Sequence, residues 1–279
     1  MFHLQKNEFF TATAAAAAET LEWARRRLSD ASEGLSFDPV PHRYYLHGRE
    51  MTPVSTIVER FAPFDSGAMA ARCAANPRHE LYGKSAEEIL ALWEDKRDRA
   101  AEAGTKVHLF AESCCLFLQG REEQIDPQFR DRITAEGFAA DEPKEEAVAR
   151  WWAGFDWTRY AVVEAEARVV NPALGYAGTL DLLLFDLLKR TFPLKDYKTN
   201  EDLYKWYGDM MRPPLNMLKA NDIGKYTVQQ TLYSIQLRNI GLTVDENSLV
   251  WVKEDGCREV GLETRYDKVI GYAVSQMKL

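Results

Sequence analysis

The chain is short of cysteine, of long apolar runs and of positive charge, and each shortage removes a class of protein. Its four cysteines, Cys73, Cys114, Cys115 and Cys257, include no Cys-x-x-Cys pair. Cys114 and Cys115 are adjacent in an expected helix, where successive side chains diverge. A disulfide framework or a four-thiolate metal site is therefore not expected, and buried thiols are. No apolar stretch has membrane-spanning length. Met1 to Phe10 lacks the basic start, apolar middle and small-residue cleavage site of a secretory signal, so the expected location is cytoplasmic. A net charge of −8 argues against coating nucleic acid by bulk electrostatics. It leaves room for a local groove: residues 122–146 carry nine acids against three bases, whereas residues 189–225 carry eight bases against five acids. A nucleotide-binding loop is also missing. Gly83-Lys84-Ser85 has Arg78 where that loop requires glycine, and no apolar strand precedes it.

What is present is a soluble-type composition, 46% hydrophobic and 28% charged over 279 residues, with no low-complexity tract. That length fits one large domain, or a core with a helical elaboration, more readily than two unrelated domains. An alanine run followed by Leu21, Trp23, Ala24 and Leu28 predicts an opening helix over 11–28. His42 to Arg49 alternates up to Gly48 and predicts a small hairpin whose histidines are exposed rather than metal ligands; Thr52 to Ser55 then enters a short helix. Ser85-Ala86-Glu87-Glu88 fits a capping box opening a helix that buries Ile89, Leu90, Leu92 and Trp93. The acidic stretch Asp126 to Lys144, broken by Pro127, Gly137 and Pro143, predicts helical pieces and a connector. Glu145 to Phe155 predicts a helix with Trp151 and Trp152 in packing roles. Ala161 to Val170 alternates as a strand, with Glu164 and Glu166 on one face.

The chemistry concentrates between Gly178 and Thr199. Gly178-Thr179-Leu180-Asp181 runs into the apolar Leu182 to Phe185, and Phe192-Pro193-Leu194 leads into Asp196-Tyr197-Lys198-Thr199, which reads as neighbouring strands joined by a tight turn. On an extended segment Asp196 and Lys198 share one side and Tyr197 takes the other, so two carboxylates and an ammonium can meet. Upstream, His108 and Glu112 share a helix face at i, i+4; alone, a helix-face hydrogen bond explains them better than a metal ligand does. Downstream, Asn200 to Gly224 is a long polar and aromatic segment that either guides a polymer or packs locally. Lys225 to Leu237 is helical with Gln229 and Tyr233 on one face, Leu249 to Val252 supplies a late strand, and Tyr266 to Met277 a closing helix. Asp181 and Asp196 suit Mg²⁺ or Mn²⁺, because hard cations prefer carboxylate oxygen, with His108 completing or orienting the coordination and Glu166 as an additional ligand after the two aspartates. Lys198 is placed to orient a water or stabilise phosphate charge.

In this order the motifs resemble the PD-(D/E)XK nuclease superfamily, in particular its RecB-like exonuclease branch. The matching residues are Gly104-Thr105 with His108 and Glu112, Glu166, Gly178 to Asp181, Asp196 to Thr199, and Gln229 with Tyr233. The overall pattern is similar to phage-type recombination exonucleases and the mitochondrial genome maintenance exonuclease group. The resemblance implies an α/β fold, a restriction-endonuclease-like mixed central sheet flanked by helices. Residues 1–100 would form a mainly helical elaboration with a small hairpin and residues 101–279 the nuclease core. It implies catalysis by Asp181, Asp196, Lys198, His108 and Glu166, a Mg²⁺ or Mn²⁺ ion on His108, Asp181 and Asp196, and substrate contacts from Gln229, Tyr233, Thr199 and Glu112. The implied activity is a DNA exonuclease of recombination or repair, acting on linear single- or double-stranded DNA and leaving a 5′-phosphate and a 3′-hydroxyl. A recombination or replication protein is the implied partner. The alternatives are a structure-specific endonuclease and a nuclease-fold DNA-binding or assembly module without catalysis. The iron–sulfur cysteine cluster of some RecB-like relatives and a helicase motor are both missing. Polarity of digestion, processivity, metal number and oligomeric state are left open.

Overall fold

The computed structural model describes residues 1–277. The chain opens with β1 (Phe2–Leu4), α1 (Glu8–Ala16) and α2 (Ala18–Ala31), so the expected opening helix is two helices meeting at Ala17. Asn7 caps α1 by accepting from the backbone N–H groups of Phe9 and Phe10. Three short strands follow, β2 (Leu35–Asp38), β3 (Arg43–Leu46) and β4 (Arg49–Pro53), the last two forming the expected hairpin. His42 and His47 are exposed, with left-handed φ of 52° and 49°.

Next come α3 (Val54–Phe61), α4 (Ser66–Ala75) and the 34-residue α5 (Ala86–Gln119). The Ser85/Glu88 capping box starts α5, and Gly120 ends it at a left-handed φ of 72°. The first turns of α5 bury Ile89 against Ala70 and Cys73 of α4, while its last turns bury Val107 to Leu118 in the main core. A small antiparallel sheet pairs β1 with β6 (Gly137–Ala140), which pairs in turn with β5 (Ile133–Thr134) beyond the single-turn α6 (Pro127–Arg130). Then come α7 (Pro143–Gly154), the long antiparallel pair β7 (Tyr160–Asn171) and β8 (Tyr176–Asp186), and β9 (Leu194–Lys198). The chain closes with α8 (Asp222–Asn239), β10 (Asn247–Lys253), β11 (Gly256–Gly261) and α9 (Asp267–Ser275). Trp152 stacks on Trp157 in the core, and Trp151 packs edge-on to Tyr197.

The result is a mixed α/β architecture. The central sheet runs β11-β10-β9-β8-β4-β3-β2, with β7 on the other edge of β8. On one face α2, α3, α8 and α9 contribute to an apolar cluster with Val163, Leu180 and Leu183; on the other, α5 and α7 pack with Val162, Leu182 and Leu184. Covering on both faces is why Leu182 to Phe185 is a continuous apolar run and not an alternating one. Each of these fully buried leucines contributes roughly 1.5–3 kcal/mol. Residue 100 lies inside α5, and β4 pairs in parallel with β8 (Thr52↔Tyr176, Pro53↔Ala177), so the first hundred residues share the central sheet.

Between β9 and α8, residues 199–221 are anchored by Met211, Leu215 and Leu218 in the cluster on the α8 face and by Leu203 against Leu249 and Leu262, while Tyr204, Trp206 and Tyr207 face outward. Among the described residues no helix is long and apolar enough to cross a membrane.

Candidate metal centre and cleft

Strand register builds the site. Along one edge β7 pairs with β8 over its whole length, Ala165↔Leu182 and Ala167↔Leu180 fixing the middle. Along the other edge β8 pairs first with β4, at Tyr176 and Ala177, and then with β9, at Leu182 and Leu183. Gly178 to Asp181 lie in the gap between β4 and β9. Extending both registers by one residue sets Glu166 opposite Asp181 and Asp181 opposite Asp196, a row of three carboxylates across three adjacent strands.

The apolar alternation changes phase at this row. Leu180 packs with the α8 side and Leu182 with the α5 side; likewise Ala167 joins the first cluster and Ala165 the second. Glu166 takes up the slip with a left-handed φ of 51°, and a bulge between Val162 and Glu164 adds to it. Glu166 enters the site, whereas Glu164 lines a separate depression with Phe10, Arg25 and Leu118.

From the α5 side, His108 places Nδ1 3.2 Å from Asp181 Oδ2. His108, Glu166 and Asp181 each offer a ligand atom, and the three lie within 4.8 Å of one another. Asp181 also accepts a 2.7 Å hydrogen bond from the Tyr197 backbone N–H. Asp196 stands outside that trio: it is an ion-pair partner of Lys198, whose Nζ lies against Oδ2. The ammonium satisfies Oδ2, whereas the buried Oδ1 of Asp196 has no hydrogen-bond partner. Lys198 Nζ also sits 4.7 Å from the centroid of the Tyr226 ring. As expected from the strand, Tyr197 points the other way, against His108 and Trp151.

The electrostatics follow from crowding acids in a half-buried place. Burial, then the Asp181 charge, raises Glu166 to about 8 and Asp196 to about 6. Burial alone would lower His108, but its charge and hydrogen-bond interactions with Asp181 outweigh that and raise it to about 9. For Asp181 burial acts upward, yet His108 and Lys198 hold it below the usual carboxylate range. Burial opposes the charge on Lys198 as well, and Asp196 and Asp181 more than offset it, raising its pKa. These carboxylates do not all ionise at neutral pH without further positive charge. Two carboxylates and an imidazole are a donor set that fits Mn²⁺ and, through its oxygens, Mg²⁺.

His108, Glu166, Asp181 and Lys198 line one cleft of about 870 Å³, and Asp196 is buried behind it against Lys198. Gln229 Nε2 donates to the Tyr233 hydroxyl at 3.3 Å, and that ring packs over Gly178. A Cβ at Gly178 would lie 2.6 Å from Tyr233 Cε1, which is why this position is glycine. Thr199 is half-buried at the end of β9, facing Gly104 of α5. Glu112 is one helical turn beyond His108 on the cleft wall; burial, then the charge of Asp126, raises its pKa.

Sequence reading missed three cleft residues. Tyr226 carries a helical-spacing signal, one turn before Gln229 on the same face. Tyr44, whose hydroxyl is 3.0 Å from Thr179 Oγ1, and Asn200, which accepts from the Tyr226 hydroxyl at 2.9 Å, come together only through tertiary contacts and leave no such signal. No protein-family model matches the chain, and no curated protein matches it.

Proposed function

We propose that this protein is a divalent-metal-dependent deoxyribonuclease, an exonuclease acting on linear DNA in recombination or repair. The observation that carries the reading is that His108, Glu166, Asp181 and Lys198 line a single cleft, with Asp196 buried against the lysine. His108, Glu166 and Asp181 would hold Mg²⁺ or Mn²⁺. A bound ion supplies positive charge toward phosphate and makes a water nucleophilic near neutral pH.

The chain's own groups do the rest. Lys198, kept protonated by Asp196 and Asp181, is placed to stabilise charge developing on the phosphate. Asp196 fixes the lysine through Oδ2, and its unpartnered Oδ1 can accept a further hydrogen bond. Gln229 and Tyr233 of α8, with Tyr226, form the wall against which a nucleotide would be oriented. Products would be a 5′-phosphate and a 3′-hydroxyl.

End-labelled linear single-stranded DNA, linear duplex and covalently closed circular DNA, each with and without Mg²⁺ or Mn²⁺, test the assignment. Metal-dependent shortening of linear DNA with circles spared is expected. Circles cut as readily as linear molecules would replace the exonuclease with an endonuclease.

A further inference from the structure

We infer that the cleft continues along α5 as a groove that takes a single-stranded nucleic-acid segment, held at its far end by stacking on exposed aromatic rings. The inference rests on the nuclease reading for its direction, since it starts at the proposed metal centre. Three depressions lie end to end. The catalytic cleft and the next, of about 1020 Å³, share Ala100, Ala101, Thr199, Asn200 and Tyr226 as walls. That one and the third, of about 870 Å³, share Lys96 and Arg97. All three include residues of α5, from Leu90 through Ala100 to His108. At 1.5 Å per residue this is about 27 Å, room for roughly eight stacked nucleotides at ~3.4 Å each.

The far end has the chemistry of a stacking platform. Phe64 is 60% and Tyr207 67% exposed, and Trp93 stands 6.3 Å from Phe64, ring centre to ring centre. Monomeric surfaces have no packing reason to leave these rings uncovered side by side. Arg72, Lys96, Arg97 and Lys205 line the same depression against Glu80 and Glu94, a local excess of bases on an acidic protein. Of these, Lys96 pairs with Glu201 and Arg97 with Glu94, which blunts the positive field. The occupant must therefore gain more from ring faces than from phosphate neutralisation. Unpaired bases offer such faces, whereas a duplex hides them inside its own stack.

The test is fluorescence anisotropy in EDTA with labelled oligothymidylates of 4, 8 and 12 nucleotides, on wild type and on Phe64→Ala with Tyr207→Ala. Wild-type affinity should rise from 4 to 8 nucleotides and then level off. The double variant should bind the 8-mer at least about 30-fold more weakly. Circular dichroism checks that it folds. A second pair at exposed positions, Arg72→Glu with Lys205→Glu, should weaken the 8-mer in the same direction. No gain with length in wild type, or an undiminished gain in both pairs, would overturn the groove. A blunt 12-base-pair duplex competing as well as the single strand would overturn the single-strand assignment. Cleavage with Mn²⁺ is measured on the same preparations. Length-dependent binding without cleavage would remove the nuclease reading and keep the groove; cleavage without length-dependent binding would do the reverse.

Discussion

Glu166 sits in the middle of a twelve-residue strand with a left-handed backbone, φ 51°. For a non-glycine residue that conformation costs on the order of 1–3 kcal/mol. Here it turns a carboxylate toward Asp181, where burial and like charge raise its pKa to about 8. His108, raised to about 9 by Asp181 against the effect of burial, carries a proton under the same conditions. A metal ion on these two groups has to displace both protons, so its affinity depends on pH. The sign is fixed: both groups are protonated below their pKa values, so Mn²⁺ affinity should rise from pH 6 to pH 9 and binding should release protons. Titration calorimetry in buffers of differing ionisation enthalpy reads both. An affinity flat across that range, with no proton release, would mean that His108 and Glu166 are not ligands. The acids, His108 and Lys198 were legible in the sequence because each motif is short and local. All three members of the trio were legible as ligands; that Glu166 and not Asp196 joins His108 and Asp181 was not, because it depends on the register between β7 and β8 and on a phase slip that strict alternation does not anticipate.

Two elements show why local pattern carries only part of the way. Sequence periodicity gives a helix start at Ser85 and a His108/Glu112 face, yet α5 is one continuous helix through both. Its middle, residues 94–103, is polar and almost wholly exposed, so no apolar stripe links its two ends. The hairpin of β3 and β4 was legible, but not that β4 completes the edge of β8 or that Tyr44 reaches Thr179. The contact between β8 and α8 is a sharper case. Gly178 is absorbed into a sequence motif, but its physical reason is the Tyr233 ring on the other element. Gly178→Ala puts a methyl group into that buried ring, and overpacking of this kind costs about 1–3 kcal/mol. Denaturant unfolding should show that loss, and DNA cleavage should fall with it as Tyr233 and α8 shift from the cleft. Unchanged stability and activity would mean that the close approach is relieved without consequence.

On the scale of the whole molecule, the acidic total and the local basic excess are reconciled by geometry. Helices cover both faces of the sheet, and the surface between α5 and residues 199–221 collects the proposed metal centre and the exposed aromatic rings. The α/β class was legible through the resemblance that the motifs carry, whereas the gap between β4 and β9, which opens the sheet at Asp181, arises only from strand order. The central claim is that this opening holds a metal-dependent phosphodiesterase. The most direct measurement is single-turnover cleavage of linear DNA across a Mn²⁺ titration, comparing wild type with Lys198→Ala and Glu166→Gln. Cleavage should saturate with Mn²⁺ in wild type, fall on the order of 100-fold or more in Lys198→Ala, and need more Mn²⁺ in Glu166→Gln. Wild-type protein that cleaves no DNA at any Mn²⁺ concentration, or Lys198→Ala that cleaves as fast as wild type, would contradict the account.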